Sequence, residues 1–377
     1  MTGALATAFV VSSCATAGSS APAEGSSEPI VIGVSGPLTG NQAEYAKNWQ
    51  DGFEVALEEI NGAGGVDGRP IEIDFQDSQG EASQATTIAQ RFVSDPNVLA
   101  VMGDFSSATS MVASPLYQRG GLLQLGITNS HPDFTKAGDF IFSPSVTQEV
   151  EGRYIENSAH AVGDKIAAFY LNTDWGNTAF DVFQDQADEN GDEIVYSTPV
   201  EEISTDFKPQ LIQARDAGAD VAVFFTYYAT TALLVQQAQQ VGFADVPFLA
   251  VGSNYSDQFL DLAQDAGEGV YVDTYFYPGS EEPQVEAFVT AFEDTHGTAP
   301  NMFNAFAYEG LKQLAWAAEN AETLDRAGIR DALRDGEDIP SVIYGEASYN
   351  DERRIDGPRF LWLHVQDGAF VEAPAFD

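Results

Sequence analysis

Ile30-Val31-Ile32-Gly33-Val34 is an unbroken apolar run, the pattern of a strand covered on both faces rather than one with a wet side. Trp49, Phe53, Ala56, Leu57 and Ile60 follow at helical spacing. Ile71 to Phe75 again looks like a strand, and Ala85, Ile88, Ala89, Phe92 and Val93 mark another helix. Val98 to Met102 and Leu122 to Leu125 predict two more strands with a helix between them. Downstream, apolar runs begin near Ile166, Glu193, Asp220 and Pro247, about 27 residues apart, and each gap holds an amphipathic stretch. One of these uses Leu234, Ala238 and Val241 and stops at Gly242. Pro283 to Arg334 reads as mostly helical, and Phe360 to His364 with Phe370-Val371 as a closing strand pair. Strands alternating with helices at this pitch predict an α/β chain with two doubly wound, Rossmann-like lobes.

Composition narrows the class. With 377 residues, 44% of them hydrophobic, the chain can fill two cores, since single cores stop growing near ~250–300 residues. One cysteine excludes an internal disulfide. The net charge of -42, from 58 Asp and Glu against 16 Lys and Arg, repels phosphates and anionic lipid, which argues against nucleic-acid binding. A dispersed acidic surface suits solvation in a salty, halophilic medium, where short screening lengths limit self-repulsion.

Enzyme signatures are missing. No G-x-S-x-G elbow accompanies an acid and a histidine, and the four histidines are isolated, without a metal-ligand spacing. Gly62-Ala63-Gly64-Gly65 follows a helix, whereas a dinucleotide fingerprint follows a strand, and there is no phosphate loop. A non-enzyme without cofactor or metal is the expectation. His131 alone stands near the strand ends discussed next, as a polar lining residue.

In open α/β sheets, ligands bind beyond the carboxyl ends of the strands. Two such ends are rich in short polar side chains: Gly103-Asp104-Phe105-Ser106-Ser107-Ala108-Thr109-Ser110 and Gly126-Ile127-Thr128-Asn129-Ser130-His131. With free N–H groups at a helix start, these can hold a carboxylate; equally, such residues serve as caps and turn formers.

At the N-terminus, Val11-Ser12-Ser13-Cys14 follows the apolar run Ala4 to Val11 and resembles the lipobox of bacterial lipoproteins. That resemblance implies an export signal over 1–14, lipidation of Cys14 and anchorage outside the cytoplasm. No Lys or Arg precedes the run, unlike an ordinary export signal. The plain alternative is an untethered apolar terminus with an incidental thiol. Residues 15–29 lack apolar periodicity and predict a flexible linker.

Six motifs in register carry a second resemblance, from Ile30 to the C-terminus. They are Ser35-Gly36-Pro37-Leu38-Thr39-Gly40, Ile60 to Gly68, Phe105 to Ser110, Pro132-Asp133-Phe134-Thr135, Asp174-Trp175-Gly176 and Thr205-Asp206-Phe207. The chain resembles the type I periplasmic binding proteins of the branched-chain amino acid transport group, the Leu/Ile/Val-binding proteins. The resemblance implies two lobes that close on a small solute and deliver it to an ABC permease and its ATPase. It implies a three-strand hinge, with crossings near Ser143, Tyr277 and Ser348. The lobes would then comprise 30–143 with 277–347, and 144–276 with 348–377. It places Tyr45, Ser106, Ser107, Thr128, Asn129 and Ser130 on one wall of the cleft, with Ser107, Ser130 and backbone amides toward the solute's carboxylate. Trp175, Tyr228 and Ser253 fall on the other wall, where the aromatics would cover the solute; the plain alternative for both rings is packing inside a core, against which Trp175 stands between Asp174 and Gly176 after a strand. Family members that bind amino acids carry an acid for the ammonium at a position that here is Gly252. Either a neighbour such as Asp257 or Asp273 replaces it, or the solute has no ammonium. A ligand-sensing receptor partner with the same fold is the competing role.

Overall fold

The computed structural model describes residues 28–377 except 356, 358, 375 and 377, so Cys14, its apolar run and most of the linker lie outside the described residues. The first half alternates as expected: β1 (Ile30–Gly36), α1 (Ala43–Gly62), β2 (Ile71–Asp77), α2 (Ala82–Ser94), β3 (Val98–Gly103), α3 (Ser107–Gly120), β4 (Leu123–Leu125) and the short β5 (Ile141–Phe142). These strands form one parallel sheet in the order β2-β1-β3-β4-β5.

The chain then enters a second sheet through α4 (Gln148–Val162), β6 (Lys165–Leu171), α5 (Asp174–Asn190), β7 (Glu193–Val200) and α6 (Lys208–Asp216). It continues with β8 (Val221–Phe225), α7 (Tyr228–Val241), β9 (Phe248–Ala250), α8 (Asp257–Ala263) and β10 (Tyr271–Thr274). It returns to the first sheet with α9 (Pro283–His296), α10 (Met302–Asn320) and α11 (Arg326–Asp335), then the hairpin β11 (Ile339–Ser341) and β12 (Gly345–Ala347). β13 (Leu361–Gln366) and β14 (Ala369–Glu372) add antiparallel strands to the second sheet, whose order is β14-β13-β10-β9-β8-β6-β7.

The parallel part of each sheet has the same winding, β2-β1-β3-β4-β5 in one and β7-β6-β8-β9-β10 in the other. Each therefore reverses direction beside its first strand, at β1/β3 and at β6/β8. Such a reversal splays the following loops apart and leaves a crevice at the strand ends. The two crevices face each other.

Local sequence explains the close approaches. Gly103 ends β3 with φ +95°, and a Cβ there would lie 2.1 Å from the Ser35 carbonyl oxygen. Gly176 lets α5 start directly on the end of β6, where a Cβ would sit 2.1 Å from the Leu171 carbonyl oxygen. Helix α10 is apolar nearly all round and buries Phe303, Phe306, Leu311 and Leu314. It packs on the Tyr45, Trp49, Phe53 and Ile60 stripe of α1. The larger set of buried apolar residues runs continuously from the first sheet to the second, because the two halves are closed on each other, and a smaller separate set packs Ile88, Phe92, Val101, Tyr117 and Phe134 on the first sheet.

Three segments lead between the sheets, at 143–147, 275–282 and 348–360. Arg354 ties the last to the first: its buried guanidinium donates to the carbonyls of Asn129 at 3.1 Å, Ser145 at 3.1 Å and His131 at 2.6 Å. Nearby, buried Glu309 accepts from the Ser341 hydroxyl at 2.5 Å, the Ile343 N–H at 2.9 Å and the Gln313 amide at 3.0 Å. Burial pushes its carboxyl up to about 7.

Candidate functional site

Between the two crevices lies a cavity of about 60 Å³, walled by residues of both halves. Five helices reach it with their first turns: Ser107 opens α3, Glu151 lies in the first turn of α4, Trp175 in that of α5, Tyr227 caps α7, and Met302 opens α10. Unsatisfied N–H groups at helix starts favour negative charge there.

The first wall is polar. Ser106, Ser107, Thr128 and Ser130 all line the cavity. Part of their bonding capacity is already used. The Ser106 hydroxyl caps α3 by accepting from the Thr109 N–H at 3.1 Å, and the Thr128 hydroxyl donates to the Phe105 carbonyl at 2.8 Å. Capping and cavity lining thus coincide in Ser106. The Ser107 hydroxyl accepts from the His131 N–H at 3.3 Å.

Two residues expected on this wall stand behind it. Asn129 is fully buried and donates to the carbonyls of Asp104 and Phe105 at 3.1 and 3.2 Å, which fixes the turn. Tyr45 is fully buried and stacks on Phe105 with ring centres 3.9 Å apart, so Phe105 is the ring that meets the cavity. Tyr45 reaches the other half instead, donating to the Ser253 carbonyl at 2.8 Å.

The second wall is aromatic. Trp175 stacks on Tyr227 with ring centres 5.5 Å apart and is 8% exposed. Trp175 follows the end of β6 in the first turn of α5, and with the halves closed it is covered. Tyr228 does not reach the cavity: its hydroxyl crosses to the Asn41 carbonyl at 2.7 Å, and Tyr227 lines the wall. The hydroxyl of Ser253, also on this wall, donates to the Thr226 carbonyl at 3.2 Å. His131 lies off the cavity and bonds to the Thr178 hydroxyl at 3.2 Å across the gap between halves.

Gly252 lines the cavity at the position where the resemblance placed the family's acid; Val251, Tyr275, Phe303 and Phe306, together with Glu151, complete the lining and were not expected from sequence. Glu151 had one legible signal, since it shares a helical stripe with buried Ile155 and Ala159. Asp257 is exposed at the start of α8 and away from the cavity lining. Asp273 is fully buried behind Glu151. Burial raises both carboxyls, and the neighbouring charge of Glu151 raises Asp273 further. Among the described residues, no group of three or more His, Cys, Asp or Glu side chains is placed to hold a metal. No helix among them is long and apolar enough to cross a membrane.

Comparison with known proteins agrees with this architecture. The family model described as "Periplasmic binding protein" matches residues 29–361. The Leu/Ile/Val-binding protein homolog 1 of Brucella abortus (strain 2308) is 26% identical over 346 residues, covering 90% of this chain and 91% of that protein. A putative branched-chain amino acid ABC transporter from Rhodospirillum rubrum is 31% identical with a TM-score of 0.67, covering 92% of this chain and all, 100%, of the other. The substrate-binding protein LivJ of Streptococcus pneumoniae, solved in complex with isoleucine, has a TM-score of 0.85 at 24% identity, covering 92% and 100% of the two chains. The chain belongs to the periplasmic binding protein family, in its type I, branched-chain amino acid group.

Proposed function

We propose that this protein is the substrate-binding component of an ABC importer and holds one small carboxylate-bearing solute, a branched-chain amino acid or a related amide or organic acid, between its lobes. One observation carries the reading: the cavity lining divides between the hydroxyls of Ser106, Ser107, Thr128 and Ser130 beside the start of α3 and the apolar side chains Phe105, Trp175, Val251, Phe303 and Phe306. Such a division suits a molecule with an acidic end and a short apolar end. Hydrogen bonds to a charged carboxylate contribute about 1.5–3 kcal/mol each, enough for Ser107, Ser130 and neighbouring amides to dominate recognition. Val251, Phe303 and Phe306 would receive the apolar end. Lobes divided at residues 143, 277 and 348 would open and close around the solute on hinge segments. The permease and ATPase are the partners this role requires.

Thermal shift with a panel of small amino acids, amides and organic acids, followed by calorimetry on the best binder, tests the reading. A panel member that binds at micromolar level supports it; no stabilisation by any of them sinks it. Anchorage through Cys14 is a separate part of the proposal. Cys14→Ser should move the protein from the membrane pellet to the soluble fraction, and persistence in the pellet would reject lipidation.

A further inference from the structure

Position 252 is tight for any side chain. A Cβ on Gly252 would lie 3.0 Å from the Asp273 carbonyl oxygen and 3.0 Å from the Met302 methyl carbon. Yet the cavity wall is not without negative charge. Glu151 reaches it from α4, and Asp273 on β10 stands behind Glu151. No well-formed hydrogen bond reaches either Asp273 oxygen, although the Glu151 carboxyl and the Gly252 N–H act on it. An unpaired buried carboxyl of this kind is costly unless it is protonated or meets a cation.

We propose that Glu151 and Asp273 together form the anionic subsite of the cleft, receiving a cationic group of the solute and giving up a shared proton as it binds. This rests on the solute-receptor reading above and specifies the solute's class: an α-amino acid or another small carboxylate with an ammonium. The groups facing the pair are Tyr275 beyond β10 and Tyr154 one turn along α4, with Tyr344 and Arg354 beyond Tyr275. Among the described residues, no cationic side chain contributes to the shift of the Glu151 carboxyl. Two adjacent carboxyls, Asp273 buried and Glu151 half-buried on the cavity wall, do not both ionise alone, so the empty site holds one proton between them. An ammonium at Glu151 supplies the missing counter-charge, both carboxyls ionise, and the proton passes to solvent. The start of α4 favours the charged form of Glu151. Affinity therefore rises with pH through neutrality, up to the point where the solute loses its own ammonium proton.

The test uses the intact protein and matched probes, L-leucine and 4-methylpentanoate (the same acid without its amino group), with alanine, valine, isoleucine and their des-amino acids. Leucine or another amino acid should bind more tightly than its des-amino partner. Calorimetry near pH 7 in two buffers of different ionisation enthalpy should register proton release of up to about one per solute. Glu151→Gln should keep the thermal midpoint, abolish the release, and weaken the amino acid roughly 10- to 100-fold while sparing the des-amino acid. A Glu151→Gln protein that binds the amino acid like the parent overturns the inference. So does a preference for des-amino acids, which leaves the receptor reading intact. Failure of every carboxylate in the panel removes the receptor reading and this inference with it.

Discussion

The indole N–H of Trp175 donates to the hydroxyl of Ser130 at 3.1 Å, joining the aromatic wall of one half to the polar wall of the other. The Ser130 backbone is held as well, since its carbonyl accepts from the Gln148 N–H at 2.9 Å while the Gln148 side chain donates to the Trp175 carbonyl at 2.5 Å. The ring thus meets a serine that a bound carboxylate would also address. On the proposed reading, Trp175 and a solute would compete for, or share, that hydroxyl in the closed state.

Trp175→Ala should lower solute affinity by ~1–3 kcal/mol, as loss of a buried aromatic anchor usually does. The unfolding midpoint of the solute-free protein should move by only a few degrees, because the ring packs between the halves rather than inside one core. Calorimetry with the best-binding solute checks this; unchanged affinity would remove Trp175 from the site.

Tyr45 and Tyr228 act as reciprocal fasteners, each donating its hydroxyl to a main-chain carbonyl of the opposite half at 2.8 and 2.7 Å. Removing both hydroxyls (Tyr45→Phe with Tyr228→Phe) withdraws about 0.5–1.5 kcal/mol per bond from closure. The double variant should show a larger radius of gyration by small-angle scattering without solute, returning to the parental value when saturated. An unchanged profile would show that closure does not depend on these bonds.

Glu309 links stability to pH. Its folded-state pKa is raised to about 7 by burial, against an ordinary value of 4.5 when exposed. The folded state therefore binds more protons between those values, and stability is fully present below the lower one. It is lost as pH rises through the upper. A shift of this size corresponds to about 3 kcal/mol, taking ~1.4 kcal/mol per pH unit. Thermal unfolding should thus occur at a higher temperature at pH 5 than at pH 8. Glu309→Gln should flatten part of that slope; the same slope in both proteins would assign it to other acids, such as Glu151 or Glu156, whose carboxyls burial also raises.

Salt should act in one direction. With a net charge of -42, self-repulsion opposes the compact state and is screened as ionic strength grows. The unfolding midpoint should climb steadily between dilute buffer and molar KCl. A midpoint that stays flat or falls would mean that the acids are too dispersed to strain the fold.

Much of the fold was legible because strand pitch and helix stripe are both written in apolar residues. Ile30 to Val34, Val98 to Met102 and the runs near Ile166 and Asp220 all became strands. β10 escaped notice because Asp273 interrupts a run of only four residues, and β5 because it has only two. The polar wall was readable as strand-end motifs. The aromatic wall was misread by one position, since two adjacent tyrosines differ only in that Tyr227 is the cap and Tyr228 the first helical residue. Glu151 was hidden for another reason: it comes from a helix far from any strand-end motif, and only packing brings α4 beneath the cleft.

The helix starts that converge on the cavity have a consequence for traffic. From outside, the molecule presents a strongly negative shell; at its centre, oriented peptide dipoles create a spot where an acid group is welcome. A bare anion must climb the outer barrier to reach that spot, whereas a zwitterion crosses it without a net toll. On the proposed function, the acidic coat would act as a kinetic sieve at low ionic strength, admitting neutral-overall solutes faster than anions of the same shape.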